Sequence, residues 1–117
     1  MRDPKKLRAF ALADDLVVAI YKSTRKFPRE ELYGLTSQIR RAAVSVPSNI
    51  VEGCARPTEK DYIHFLHIAY GSLAEVGYQV GLSHRLGFLD DKTFQALHSQ
   101  QQEAYRVLFA LIRSFDS

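Results

Sequence analysis

The sequence lacks several features on which secreted proteins, membrane proteins and thiolate metal sites depend. Cys54 is the only cysteine, so the chain can form neither an internal disulfide nor a zinc cluster built from thiolates. The longest aliphatic run, Leu16 to Tyr21, is far shorter than the roughly 18 apolar residues that span a bilayer. The first residues are charged where a signal peptide would be apolar. We therefore expect a cytoplasmic protein in which Cys54 is a structural thiol.

No low-complexity run interrupts the chain, and its composition is that of an ordinary globular protein. The 117 residues are 46% apolar and 25% charged. This length gives enough apolar material for one hydrophobic core and too little for a second. We predict a single domain that spans residues 1–117.

The charge is divided unevenly along the chain. Its formal net value is only +3, yet residues 1–60 carry 12 Lys and Arg against 7 Asp and Glu, whereas residues 61–117 carry 4 against 6. A basic half indicates either polyanion binding or simply a solvated face. Both interpretations stay open at this point.

Apolar residues recur at spacings of three and four in four segments, which predicts four helices and no strand. The segments run from about Leu7 to Lys26, from Glu30 to Ala55, from the N-cap Thr58 to Arg85, and from the N-cap Asp90 to Phe115. Because the connections are short, sequential helices should be antiparallel, in an all-α up-down-up-down four-helix bundle. The residues expected to face inward are Phe10, Ala13, Val17, Ile20, Thr24, Leu32, Leu35, Ile39, Ala42, Val46, Ile50, Tyr62, Phe65, Leu66, Ala69, Leu73, Val76, Val80, Phe94, Leu97, Gln101, Ala104, Leu108, Leu111 and Phe115.

Pro47 lies inside the second segment. It removes the hydrogen bond to the Ala43 carbonyl and crowds that carbonyl, so the helix must kink or break near Val46. We predict a continuous, proline-kinked helix. The alternative is a break, after which Ser48 or Asn49 caps a short new helix.

The third segment has more apolar material than one core stripe requires. Three of its residues are glycines, each of which costs about 1 kcal/mol relative to alanine inside a helix, so we expect another backbone to approach them closely. Three further apolar residues lie off the stripe. These features predict self-association through a surface made of Ile63, Tyr70, Gly71, Gly77, Tyr78 and Gly81.

We find no residues in the sequence that form a catalytic or metal-binding pattern. Asp61, His64 and His67 follow at i, i+3 spacing, but a di-metal bundle needs Glu-x-x-His on two helices and two further glutamates. His84 and His98 have no acidic partner nearby in the sequence. A phosphate-binding glycine loop and a strand–turn–helix nucleophile elbow are both absent. We predict no enzymatic activity, no metal, no cofactor and no small-molecule substrate.

Basic residues remain as the best functional candidates, because arginine and lysine contacts to phosphates give affinity without sequence information. The candidates are Lys22, Arg25, Lys26 and Arg29 at the end of the first segment, and Arg40, Arg41 and Arg56 on the second. The two groups could lie at opposite ends of the bundle. Alternatively, Arg40 and Arg41 could form ion pairs with Glu30, Glu31 or Glu52.

The stretch from Leu32 to Gly53, LYGLTSQIRRAAVSVPSNIVEG, resembles the signature of a known family. This is the four-helix bundle family named for proteins encoded in intervening sequences of 23S rRNA genes in bacteria. The resemblance continues through residues 65–66 and 69–75, and residues 7–24 fit the family's first helix. Small departures occur at Phe10, Val51 and residues 54–55, and none of them threatens the fold.

The resemblance implies a ring-like homo-oligomer, a pentamer, without established enzymatic activity. The chain is also similar to the accessory protein of diversity-generating retroelements, a basic pentameric barrel thought to bind nucleic acid and a reverse transcriptase. Our leading hypothesis is a non-enzymatic homo-oligomer that binds RNA or another nucleic acid through basic residues of its first two helices. The alternative is a protein–protein interaction scaffold without a nucleic-acid role. Neither hypothesis involves a membrane.

Overall fold

Four α-helices make up most of the computed structural model, which describes residues 2–116. They are α1 (Arg8–Thr24), α2 (Leu35–Cys54), α3 (Glu59–Arg85) and α4 (Asp91–Arg113). Three-residue 3-10 helices at Pro4–Lys6 and Arg29–Glu31 precede α1 and α2. No strand occurs in this part of the chain, so the predicted all-α class is confirmed. None of the described helices is long and apolar enough to cross a membrane.

The helices form an antiparallel four-helix bundle, as the short connections predict. Each helix packs against two neighbours: α2 lies between α1 and α3, and α4 lies between α3 and α1. The molecule measures 44 × 24 × 20 Å along its principal axes. We call the end that holds Thr24, Leu35, Arg85 and Asp91 the upper end, and the opposite end the lower end.

The core follows the predicted stripes with a few differences. Leu16 on α1 and Ile112 on α4 are buried although they lie outside the predicted set, and Leu32 is 50% exposed although it lies inside it. Leu32 is exposed because α2 begins later than predicted. The Glu31 carboxylate accepts a hydrogen bond from the Leu35 backbone N–H at 3.2 Å, which satisfies a free donor at the start of α2.

The second helix continues through Pro47 without a break, from Leu35 to Cys54. The continuous helix that we predicted is therefore confirmed, and the alternative that starts a new helix after Pro47 is wrong. The Asn49 side chain donates to the Ser45 carbonyl at 2.8 Å and to the Ser45 hydroxyl at 2.9 Å. The Ser45 hydroxyl also lies 2.9 Å from that of Ser72 on α3. These bonds support the backbone beside the proline and join α2 to α3.

Cys54 is buried at the end of α2, with 1% of its surface exposed. Burial raises the pKa of its thiol, which disfavours the reactive thiolate. These properties are those of a structural thiol.

Two glycines allow close packing between helices. A Cβ atom on Gly53 would lie 2.9 Å from the Phe65 Cβ and 3.2 Å from the Tyr62 carbonyl oxygen. On Gly77 it would lie 2.7 Å from the Gln101 side-chain nitrogen. Gly53 therefore brings α2 close to α3, and Gly77 makes room for a side chain of α4.

Gln101 is buried, and its side-chain amide donates to the Leu73 carbonyl at 2.9 Å. By contrast, among residues 2–116 no atom outside the adjoining stretch of α3 lies within 4 Å of a Cβ built on Gly71 or Gly81. The expected close approach of a backbone therefore does not occur within the chain at these two positions. At Gly77 a side chain fills the space.

We expect Gly53→Ala to lower the free energy of unfolding by about 1–3 kcal/mol, because the added methyl group overpacks the contact between α2 and α3. Gly71→Ala is the matched change in open space, and it should raise that free energy by up to roughly 1 kcal/mol through helix propensity. Urea unfolding followed by circular dichroism measures both. Equal stability of the two variants would contradict the close contact at Gly53.

Candidate nucleic-acid interface

Two connections pack together and close the upper end of the bundle. The ring of Phe27, between α1 and α2, lies 5.5 Å from the ring of Phe88, between α3 and α4. Leu89 is buried beside them. Pro28 directly follows Phe27 and ends the helical region, because proline disfavours helical geometry in the preceding residue. The aromatic contact therefore holds the α1–α2 connection, which carries two of the candidate arginines.

Most of the predicted basic residues lie towards this upper end. Arg56 is the exception, because it follows the 20 residues of α2, a helix about 30 Å long. The two predicted groups therefore do not lie at opposite ends of the bundle. Only Arg56 lies at the opposite end from the others. The residues that share the upper part of the bundle are Lys22, Arg25, Lys26, Arg29, Arg40 and Arg41.

Three of these arginines line one small pocket of about 160 Å³, which we call the arginine pocket. It lies between the end of α1, the connection and the start of α2. Three of its lining residues are arginines and none is a carboxylate, so positive charge is concentrated there. The lining residues are Thr24, Arg25, Phe27, Pro28, Arg29, Leu32, Thr36 and Arg40.

Arg40 is held in place by residues of α1. Its Nε donates to the Thr24 hydroxyl at 2.8 Å, and that buried hydroxyl in turn donates to the Ile20 carbonyl at 2.8 Å. The guanidinium also lies 4.7 Å from the centre of the Tyr21 ring, a distance at which a cation–π attraction operates. Arg40 therefore joins α1 to α2 as well as lining the pocket.

The alternative in which Arg40 and Arg41 form ion pairs with glutamates is wrong for the described chain. Neither arginine has a carboxylate partner within 4.0 Å among residues 2–116. Glu52 pairs instead with Arg56 at 3.0 Å. The Arg56 guanidinium also lies 4.8 Å from the centre of the Phe65 ring. Arg56 is thus engaged locally at the lower end.

Arg41 points to a different site from Arg40. It lines a groove of about 500 Å³ between α2 and α3, together with Glu75 and the exposed Tyr33. The Tyr33 side chain is 93% exposed, and an exposed aromatic ring can stack on a nucleobase. We did not predict a role for Tyr33, although it lies within the stretch that resembles the family signature.

Lys22 and Lys26 line a third hollow, of about 280 Å³, beside the connection between α3 and α4. Asp90 lies in the same hollow. Its pKa is lowered chiefly by the Thr93 backbone N–H, which donates to the carboxylate at 2.7 Å, and to a lesser extent by the charge of Lys26. A carboxylate thus offsets part of the lysine charge in this hollow, whereas none lines the arginine pocket.

The predicted oligomer surface on α3 contains residues in different environments. Tyr78 is 66% exposed, whereas Gly77 is covered by Gln101 of α4. The Tyr70 ring stacks on the Tyr105 ring with 4.4 Å between their centres. Ile63 and Gly81 are half-buried, and Gly71 is exposed.

An aromatic surface extends from this region onto α4, because the Phe109 ring lies 5.8 Å from that of Tyr70 and is 43% exposed. We did not predict these α4 residues. The inward-facing stripe of α4 was recognisable from the sequence. The lateral contact of Tyr105 and Phe109 with α3 was not, because it depends on how the two helices are rotated relative to each other.

His84 has no acidic partner nearby in the sequence, but the fold brings one to it. Its Nε2 lies 2.6 Å from the Asp91 carboxylate, because the chain reverses direction between α3 and α4. The imidazole also stacks on Phe94 at 4.1 Å. Asp61, His64 and His67 are exposed, and within the described residues no three such side chains gather into a possible metal site.

Comparison with known proteins identifies the class to which this small helical bundle belongs. The model of the family described as 23S rRNA-intervening sequence protein matches residues 5–110. The chain therefore belongs to the family of 23S rRNA-intervening sequence proteins. No curated protein matches the chain.

The crystal structure of a protein of unknown function from the S23 ribosomal protein family of Bacteroides thetaiotaomicron VPI-5482 is similar in fold. Its TM-score is 0.82 and its sequence identity 21%, over 90% of this chain and 95% of that one. At this identity the likeness supports the fold alone.

We expect Thr24→Val to lower the free energy of unfolding by about 1–2 kcal/mol, because it removes the acceptor for Arg40 Nε. Thr36→Val is the matched control at the same end of the bundle. The Thr36 hydroxyl is buried without a hydrogen-bond partner, so its removal should leave stability unchanged or raise it by up to about 1 kcal/mol. Chemical denaturation measures both variants. A larger loss for Thr36→Val than for Thr24→Val would contradict this assignment.

Proposed function

We propose that the protein is a non-enzymatic homo-oligomer that binds RNA or another nucleic acid through the basic residues of its upper end. The observation that carries the proposal is the arginine pocket, which three arginines and no carboxylate line. Isolated surface cations are usually solvated or paired. Cations gathered around one pocket attract an anion, and nucleic acids present a phosphate anion at every nucleotide.

The positions of the other basic residues extend this interface. Lys22 and Lys26 lie on the same end of the bundle, towards α4, and Arg41 lies towards α3. Arginine and lysine bind phosphates largely without regard to base sequence, and release of condensed counterions makes the affinity depend on salt. Exposed Tyr33 adds a surface for base stacking beside Arg41. The geometry favours a binder of nucleic-acid backbone with little sequence preference.

The proposed assembly is a cytoplasmic ring, a pentamer, as the family resemblance implies. The exposed aromatic surface supports an assembly, because large aromatic side chains are enriched at protein interfaces. Tyr78 is the more exposed of the two tyrosines in the predicted interface. In a ring, the arginine pockets of several subunits would present repeated phosphate sites to one nucleic acid.

The same aromatic surface supports a second candidate, a protein–protein interaction scaffold without a nucleic-acid role. Tyr70, Tyr105 and Phe109 are grouped on one side of the bundle. A partner protein that docks there would not need the arginines of the upper end. Loss of partner binding on replacing Phe109, with no effect of replacing Arg25 and Arg29, is the pattern that this candidate predicts.

For the nucleic-acid function we expect saturable binding of a structured RNA by fluorescence anisotropy at about 50 mM salt, weakening steeply as salt is raised. Replacing Arg25 and Arg29 with Gln should reduce the slope of log affinity against log salt by about 1 to 2. The matched control replaces Lys5 and Lys6 at the lower end with Gln. It removes the same charge and should have a smaller effect. Absence of binding by the unmodified chain would reject the proposal.

For the assembly we expect light scattering at micromolar concentration to give a mass several times the 13.3 kDa of one chain. Tyr78→Arg should lower this mass, because it places a charge where an apolar contact is proposed. Tyr33→Arg is the control, since it changes an even more exposed tyrosine at the upper end. A monomer mass for the unmodified chain would contradict the assembly.

A further inference from the structure

We propose that the groove between α2 and α3 binds one unpaired guanine base, with the Glu75 carboxylate accepting hydrogen bonds from the base and the Tyr33 ring stacking on it. The inference rests on the proposed function and deepens it, because it names a base and the groups that read it. Its evidence is the carboxylate of Glu75, a spare hydroxyl donor in the groove and the exposed ring of Tyr33.

The Glu75 carboxylate is the first observation. Glu75 is exposed and lines the groove. Its carboxylate accepts a hydrogen bond from the side-chain nitrogen of the buried Gln79 at 3.3 Å, which orients it. Glu75 forms no ion pair among residues 2–116, although Arg41 lines the same groove. Because a carboxylate can accept about four hydrogen bonds, Glu75 keeps most of its acceptor capacity for a ligand.

The groove also has a hydroxyl donor to spare. Ser45 and Ser72 both line it, are half-buried and have their hydroxyl oxygens 2.9 Å apart. Each hydroxyl carries one hydrogen, and only one hydrogen can lie between the two oxygens. The Asn49 amide donates to Ser45 and therefore uses an acceptor. Neither hydroxyl bonds to a further acceptor among residues 2–116, so one hydrogen is left for a ligand.

This set of groups matches guanine better than the other bases. The Watson–Crick edge of guanine presents two adjacent donors, N1–H and N2–H, which one carboxylate can accept side by side. The O6 and N7 atoms of guanine are acceptors, suited to a serine hydroxyl or to Arg41. Adenine, cytosine and uracil each place an acceptor beside their N–H donor on that edge. That acceptor would face a carboxylate oxygen, which has no hydrogen to donate.

Tyr33 and the size of the groove determine the form of the ligand. The side chain of Tyr33 is 93% exposed and lines the groove, and aromatic rings stack on bases of any identity. The groove holds about 500 Å³, within the roughly 300–1,000 Å³ range of ligand sites. The base must be unpaired, because in a duplex a partner base occupies its Watson–Crick edge. Phosphate contacts at the upper end would supply affinity, and this groove would add a preference for one base.

The test is fluorescence anisotropy of the full chain with labelled short oligouridines that carry one central guanosine, adenosine or inosine. These RNAs have equal charge and no stable pairing, so only the central base varies. We expect guanosine to bind about tenfold more tightly than adenosine, which is the order of discrimination that one bidentate base contact gives. Inosine, which lacks the N2 amino group, should lie between them.

Glu75→Gln should abolish the preference for guanosine, because the glutamine amide opposes one of the two N–H groups with a donor. Loss of a negative charge raises the affinity for any RNA, so the readout is the ratio of the guanosine and adenosine affinities. Glu103→Gln removes the same charge on α4, outside the groove, and should keep the preference. Tyr33→Ala should weaken binding of all three RNAs, and Tyr33→Phe should restore it.

Equal affinities for guanosine and adenosine, or a preference that survives Glu75→Gln, would overturn the inference while the proposed function stands. Equal affinities for guanosine and inosine would also overturn it, because the contact to N2–H would then be absent. If the unmodified chain binds none of these RNAs, the guanine site is wrong, and the binding assay with structured RNA decides the proposed function separately.

Discussion

The hydrogen bond from Arg40 to Thr24 is the contact on which the upper end of the bundle depends. It joins the last turn of α1 to the second turn of α2, and the Thr24 hydroxyl passes the interaction on to the Ile20 carbonyl. Because Arg40 is bound to uncharged atoms, no paired carboxylate offsets its charge beside the connection that carries Arg25 and Arg29. The contact thus has two consequences: it fixes the first helix pair, and it concentrates positive charge in the arginine pocket.

The molecule presents two kinds of surface that serve different purposes in the proposed function. The upper end is basic, and the side formed by α3 and α4 is aromatic, with Tyr70 stacked on Tyr105. An aromatic side can be buried between subunits while a basic end stays accessible. If subunits associate side by side, their arginine pockets face in the same general direction. Binding of an extended nucleic acid would then gain from several weak phosphate contacts at once.

The helices were predictable because apolar spacing of three and four marks them directly in the sequence. Relations between helices were not. Arg40 and Arg41 are adjacent in sequence, yet successive residues of a helix point about 100° apart, so one meets α1 and the other faces the groove beside α3. The pairing of His84 with Asp91, and the packing of Gly77 against Gln101, likewise depend on chain reversal and helix rotation. A basic cluster was visible in the sequence, whereas its division into three sites was not.

The most direct test of the account is hydrogen–deuterium exchange of the full chain with and without a structured RNA, because it locates the contact rather than its strength. The account predicts slower exchange in residues 22–42, which contain the end of α1, the connection and the first turns of α2. The lower end, around residues 54–60, should exchange at the same rate in both samples. Protection confined to the lower end or to the aromatic side would contradict a phosphate-binding upper end.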